Sequence, residues 1–330
     1  MERRHLWGTM RHLGLRLPVE RVPIGRPGST YPVLAHLVGA AEESGFGAVW
    51  YLGASGDPSP WTGVGPVGLA TRPGAASALA VDEPEFEALT LLGALASASS
   101  SASASSSASS SASASAVGEL QFGAVVTPAT PHPSVVAKQI TTLDVISHGR
   151  ALAGIAPATG DDPAGAGSPI EELVGLVDAL FTEDEPEFTG THYQVRGAMN
   201  RPAPVRGGIP LVLGRGAADR LPAASIGRHC DALVVTGNDR SVRRYRRLLD
   251  SACALVGRPP DDAGILWTGP VPRPTSVETT ALVAGLVEAG AEGVIVELGD
   301  PTAPGDGPPA GDREAWVRSI GEALVPLVGN

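Results

Sequence analysis

The stretch from Leu120 to Pro157 constrains this chain most. An apolar, β-branched run, Leu120 to Thr127, is followed by a proline-rich turn through His132 and Pro133. Apolar residues then recur at Val135, Val136, Ile140, Leu143 and Ile146, a helical stripe for which Ser134 is the expected N-cap. Gly149 stands where a helix C-cap belongs, and a second apolar run, Ala151 to Pro157, begins at once. A short apolar run without alternation reads as a strand buried on both faces. The stretch is therefore a strand–helix–strand unit, with parallel strands joined by a right-handed crossover.

The same alternation continues on both sides. Upstream, strands are expected at Leu13–Pro18 and 47–52, with helices at Tyr31–Ser44 and Pro84–Ala96. Downstream, Ser168, Pro169 and two acids open a helix that runs to Phe181, and residues 186–206 read as irregular with a short hairpin. Further strands are expected at 209–213, 231–235, 263–268 and 293–297, and helices at 217–228, 240–256, 276–289 and 313–328. Strict alternation in 330 residues fits a single α/β domain over 1–330, a closed (β/α)8 TIM barrel. The runner-up, a doubly wound sheet, wants a Gly-x-Gly-x-x-Gly turn after the first strand, and Pro18 to Gly28 lacks it.

Two segments fall outside the pattern. Residues 53–81 are rich in Gly and Pro and have no period, so they form a long loop near the site. Residues 97–116 are almost pure Ser and Ala, a low-complexity insertion without apolar anchors; disorder is expected there, relieved only by transient helicity from alanine.

Charge narrows the function classes. A net charge of −11 argues against non-specific nucleic-acid binding. Lys138 is the only lysine; arginine supplies the rest of the 24 cations. Cys230 and Cys253 have no paired spacing, so buried free thiols are expected rather than a disulfide or a metal site. The first ten residues lack the apolar core of a signal peptide, and no apolar run approaches a membrane span, so a soluble cytoplasmic protein is expected.

In a barrel, chemistry sits at the strand C-terminal ends. Those ends carry glycine, threonine and backbone more than His or acids. Gly214-Arg215-Gly216-Ala217 opens the expected 217–228 helix directly after a strand, which makes a phosphate cradle with Arg215 as counter-charge; an ordinary glycine turn is the bland alternative. His132, His148, His192 and His229 show no metal-ligand spacing and read as structural or solvated, with His132 the best placed for the site. Asp161 and Asp162 read as capping or solvated acids with an outside role as base or cofactor partner. The arginines between Arg240 and Arg247 read as a solvated helix face.

These blocks, in this order, resemble the bacterial luciferase-like superfamily. The likeness is carried by Val125 to Pro133, Ala137-Lys138, Thr142 to Ser147 with Gly149-Arg150, and Gly154-Ile155. Ala41 to Phe46, Glu87 to Leu92, Glu187 to Tyr193, Ile209 to Gly214 and Asp231 to Leu233 agree. The resemblance implies a TIM-barrel oxidoreductase or monooxygenase that uses FMN or the deazaflavin F420. It places the ring against the ends of the second, third and fourth strands, with Val125, Val126 and Thr127 beside it and a non-prolyl cis peptide near Val125–Val126. It places the phosphate near Gly214, Arg215, Gly216 and Ala217, and a further wall at Thr236 and Gly237. Gly154, Gly160 and Asp161 are similar to a turn of deazaflavin-using members. It also implies a small-molecule substrate and a flavin or F420 reductase as supplier of reduced cofactor, and leaves a homodimer open. Two departures stand out: Gly53 and Ala54 occupy positions where many members have an acid–His pair, and Pro157 replaces the arginine of the luciferases proper. No residue is thereby assigned as catalytic, and a degenerate flavin-binding barrel without turnover is the alternative.

Overall fold

The structure, a computed structural model, describes residues 13–18, 30–51, 86–107, 120–128, 132–157, 167–271, 275–298 and 312–328. In chain order the elements are β1 (Leu13–Arg16), α1 (Thr30–Glu43), β2 (Ala48–Tyr51), α2 (Ala88–Ser107), β3 (Gln121–Val126), α3 (Pro133–Ile146), β4 (Ala151–Ile155) and α4 (Pro169–Thr182). A hairpin of β5 (Phe188–Thr189) and β6 (Gln194–Val195) comes next. The second half holds β7 (Leu211–Leu213), α5 (Ala223–His229), β8 (Ala232–Val235), α6 (Asp239–Leu255), β9 (Gly264–Pro270), α7 (Val277–Glu288), β10 (Gly293–Glu297) and α8 (Arg313–Val328).

All strands but the hairpin pair close one parallel barrel, in the order β1, β2, β3, β4, β7, β8, β9, β10 and back to β1. The TIM barrel read from the alternation is what forms. Each strand divides its side chains between two cores. Leu15, Val49, Phe122, Ile155 and Val296 face the helices, whereas Trp50, Val125, Leu152, Val212, Val234, Leu266 and Ile295 fill the interior. Period-two alternation is therefore present, but both faces are apolar and the strands read as continuous runs.

One interior residue sets the geometry of half the barrel. Trp50 is fully buried, and its indole lies against β1, β3 and β4. A Cβ at Gly123 would stand 2.2 Å from that ring, and Cβ atoms at Gly14 and Gly154 would each stand 3.3 Å from it. Glycines on three strands make the room that one large side chain fills, consistent with the close packing of protein interiors.

Local chemistry explains where the elements begin and end, and corrects several expectations. Helix α3 starts at Pro133, not after Ser134: proline suits the first helical position, and His132 is the cap, its Nδ1 accepting from Ser134 N–H at 3.3 Å. At the other end His148 takes the left-handed position (φ 57°), and Gly149 N–H closes on the Asp144 carbonyl at 2.8 Å. Helix α2 continues to Ser107, through the first half of the Ser/Ala insertion expected to be disordered. Alanine's helix propensity favours that continuation, and Ser99 ties it to α1 by donating to the Glu42 carboxylate at 3.0 Å. The helix expected over 217–228 is split: a 3-10 turn spans Ala217–Asp219, and Pro222, which has no N–H to donate, caps the seven-residue α5.

The β5–β6 hairpin, expected as a short feature of an irregular segment, is held by one carboxylate. Glu172, in the first turn of α4, accepts from the N–H groups of Thr191 (2.6 Å), His192 (2.8 Å) and Tyr193 (3.0 Å). A Cβ at Gly190 would overlap that carboxylate at 2.3 Å, so the turn needs glycine there. Burial works against the charge, but the N–H groups of His192, Thr191 and Tyr193 outweigh it and hold the Glu172 carboxyl below its ordinary value. A depressed pKa stabilises the fold above the unfolded-state pKa and ceases to do so as pH falls through the folded one. Glu172→Gln should therefore lower the melting temperature most near neutral pH. The gap to the parent should shrink as pH drops below 4.5, the ordinary glutamate value; a gap that stays constant between pH 7 and pH 3 in thermal melts would contradict this.

Candidate active site

The strand C-terminal ends define one mouth of the barrel, and the candidate site is built there. On β3 the two valines part company. Val125 points into the interior cluster, while Val126 packs outward with the helices and offers the interior only backbone, its carbonyl accepting from Ala156 N–H at 3.0 Å. Thr127 is buried at the strand end. The Val125–Val126 peptide is trans, contrary to expectation: Arg201–Pro202 is the one cis bond among the described residues. Both valines keep regular parallel register with Gly154 and Ile155, and a non-prolyl cis bond costs roughly 3 kcal/mol without proline to reduce it.

Glycines line the wall between β4 and β7. A Cβ at Gly154 would meet Val125 at 2.7 Å and the Ala124 carbonyl at 2.8 Å. One at Gly214 would meet the Ala156 methyl at 2.8 Å. Gly214 N–H donates to the Ile155 carbonyl at 2.7 Å, which stitches the turn after β7 to the end of β4. Gly216 has φ 82°, a left-handed conformation that favours glycine. The turn closes as Ala217 N–H donates to the Gly214 carbonyl at 3.1 Å; the N–H groups of Arg215 and Gly216 have no backbone acceptor among the described residues. An anion-binding nest is thus compatible with this turn. The helix behind it is only a 3-10 turn, so the helix dipole invoked for the cradle is weak here.

The turn also carries its own charges. Tyr245 of α6 donates to Asp219 Oδ2 at 3.0 Å, and Arg244 lies 3.6 Å from the same carboxylate. Burial and then Asp219 push the Tyr245 hydroxyl up from its ordinary pKa. Arg215 is exposed. Beyond the turn, Thr236 is half-buried and Gly237 exposed with φ 95°; the Gly237 carbonyl accepts from Trp267 Nε1 at 2.8 Å.

The structure adds a polar group that is not among the residues expected at the site. Arg16 and Glu297, the last residues of β1 and β10, are partners in register and form an ion pair of 3.1 Å inside the mouth. The signal was present in the period: Glu297 shares a face with Ile295, and Arg16 with Gly14.

The histidines separate by place. His132 caps α3 and stands edge-on to Tyr193, centroids 5.9 Å apart, while Tyr193 Oη donates to the Pro128 carbonyl at 3.2 Å beside the end of β3. His229 pairs with Asp178 at 2.7 Å among the outer helices; His148 and His192 are exposed. Cys230 and Cys253 are buried and form no disulfide, as expected. Exposed Arg240, Arg243, Arg244 and Arg247 share one face of α6, whereas Arg246 is bound by Asp250 and Glu292. Gly53, Ala54, Gly160, Asp161 and Asp162 lie outside the described residues. A cavity of about 500 Å³ between α2 and α3 is on the outer ring and is no part of the mouth. No helix among the described residues is long and apolar enough to cross a membrane.

Comparison with known proteins agrees with this architecture. A family model described as luciferase-like monooxygenase matches residues 12–313. Among solved structures, a coenzyme F420-dependent tetrahydromethanopterin reductase from Methanopyrus kandleri superposes with a TM-score of 0.63 at 15% identity, covering 97% of this chain and 100% of that one. An F420-dependent secondary alcohol dehydrogenase in complex with an F420–acetone adduct gives 0.66 at 13% identity, with 97% and 100% covered. A monooxygenase from Streptomyces bottropensis gives 0.62 at 14%, with 96% and 99% covered. At these identities the likeness is one of fold. An uncharacterised protein of Mycobacterium tuberculosis is 27% identical over 143 residues, 41% of this chain and 50% of that protein. The match thus spans about half the length of that curated relative.

Proposed function

The chain belongs to the luciferase-like monooxygenase family, and from that premise we propose that it is an oxidoreductase holding FMN or F420 at the barrel mouth and acting on a small organic substrate. The observation that carries the reading is the left-handed turn after β7, Gly214 to Ala217. Gly154, Gly214 and Gly216 each stand where a side chain would meet neighbouring atoms or strain the backbone. The clearances at Gly154 and Gly214 are taken up by Val125, Trp50 and Ala156, so strand packing requires those two glycines. At Gly216 the left-handed turn leaves the N–H groups of Arg215 and Gly216 without a backbone acceptor among the described residues, where a phosphate could take them. Gly214, Arg215, Gly216 and Ala217 would hold the phosphate; Val125, the Val126 backbone, Thr127 and Gly154 would lie against the ring; Thr236 and Gly237 would complete the wall.

When bound, such a cofactor supplies hydride transfer or, as reduced flavin, activation of O2. This chain's own residues orient and shield. Trp50 and its interior neighbours fill the barrel, which would shield a bound cofactor from water on that side. The buried Val125 side chain fixes the face above Trp50. Arg16 brings a guanidinium, with several N–H donors, to the mouth. The Glu297 carboxylate is held beside that guanidinium at 3.1 Å.

Oxygen dependence distinguishes the two chemistries. The purified protein should consume reduced FMN in an O2-dependent way with product oxygenation, or reduced F420 without O2. A second reading, a flavin-binding barrel without turnover, is favoured by Gly53 and Ala54, which bring no titratable group to the acid–His positions. Binding of cofactor with no substrate-dependent consumption across aldehydes, ketones and alcohols would support it over the enzyme.

A further inference from the structure

The Arg16–Glu297 pair sits where an apolar barrel has no structural need of charge. The interior cluster it adjoins is apolar and includes Trp50, Val125, Leu266 and Ile295. A buried ion pair is commonly no more stabilising than apolar residues of the same volume, and residues at this end of a barrel belong to the site rather than to stability. The pair is also braced. Thr268 Oγ1 lies 3.1 Å from the Ile295 carbonyl and 3.3 Å from Glu297 Oε1, sharing its proton between them. The two partners are unequally exposed: the Arg16 side chain retains 16% of its surface and that of Glu297 4%. The guanidinium is thus the more accessible member of the pair at the end of β1.

We propose that Arg16 is a ligand-binding residue, a subsite for the carboxylate or developing oxyanion of a small organic ligand, with Glu297 and Thr268 as positioning residues that aim the guanidinium. The inference rests on the reading of the mouth as the active site. A guanidinium offers several N–H donors in a fixed plane, which suits an oxygen pair better than a single point charge does. Glu297 keeps the uncomplexed site neutral, so that the arginine is tolerated without a ligand. The subsite supplies a polar contact on β1 and β10, across from the glycine wall of β4 and β7.

Calorimetric titration of the full-length protein with benzoate and with neutral benzamide tests this, both alone and saturated with whichever of FMN or F420 binds. Benzoate should bind about tenfold more tightly than benzamide, the order of one charge-assisted hydrogen bond. Arg16→Gln should reduce that ratio to near one and leave benzamide affinity as it was; Arg16→Lys should restore part of the preference. Thermal melts of both variants identify loss of fold, and the lysine variant keeps the test open if glutamine is not tolerated. Equal binding of the two probes, no benzoate binding, or a preference that survives Arg16→Gln would overturn the subsite. Cofactor binding without a benzoate preference would remove the subsite alone. A benzoate preference in a protein that binds neither cofactor would remove the oxidoreductase reading and leave the subsite standing.

Discussion

Replacing Gly123 with alanine is expected to destabilise the barrel by about 3 kcal/mol, at the upper end of overpacking penalties. The added carbon would stand 2.2 Å from the Trp50 ring, well inside contact distance, and would not meet a flexible chain end. The indole is fully buried and backed closely by the backbones of Gly14 and Gly154, where even an added Cβ would stand only 3.3 Å away, so it has little room to retreat. Trp50→Leu on its own should also cost several kcal/mol through the cavity it leaves. The two changes should couple, because each removes the other's clash or void. In urea unfolding, the double variant should be at least about 1 kcal/mol more stable than the sum of the single effects allows. Additive losses would mean that Gly123 is not there to accommodate Trp50.

The second large effect concerns the turn after β7. Gly216→Asp should weaken cofactor binding about a hundredfold or more, for two reasons that can be separated. Any side chain at φ 82° is strained, on the order of 1 kcal/mol. A carboxylate beside the Arg215 and Gly216 N–H groups also repels a phosphate that needs them. Gly216→Asn carries nearly the same shape, tolerates the left-handed region and has no charge. It should lose no more than about tenfold. Equal losses in the two variants would assign the effect to strain and take the phosphate out of that turn.

How much of the fold and site was legible in the sequence depends on how far apart the interacting residues lie. The barrel was legible because each strand–helix pair announces itself locally, through continuous apolar runs, helical stripes and punctuating Gly and Pro. The Gly214–Ala217 turn was legible for the same reason. Trp50 and its three clearances were not, since Gly14, Gly123 and Gly154 belong to different strands and only the barrel register brings them to one ring. The Arg16–Glu297 pair joins the first strand to the last, and no local pattern links them. Alternation places each on the interior face, but neither belongs to a turn, and the turns are where glycine and threonine mark the mouth. The misplaced boundaries have simpler causes. Pro222 breaks the helix expected after the cradle, Pro133 moves the start of α3, and alanine carries α2 into the Ser/Ala tract.

The central claim is that the mouth holds a flavin-type cofactor, and a fluorescence titration of the purified protein with FMN and with F420, oxidised and reduced, tests it most directly. Saturable one-to-one binding of one cofactor in the micromolar range, about −8 kcal/mol, is the predicted result. Failure of both cofactors to bind in either redox state, by a protein that melts cooperatively, would contradict it.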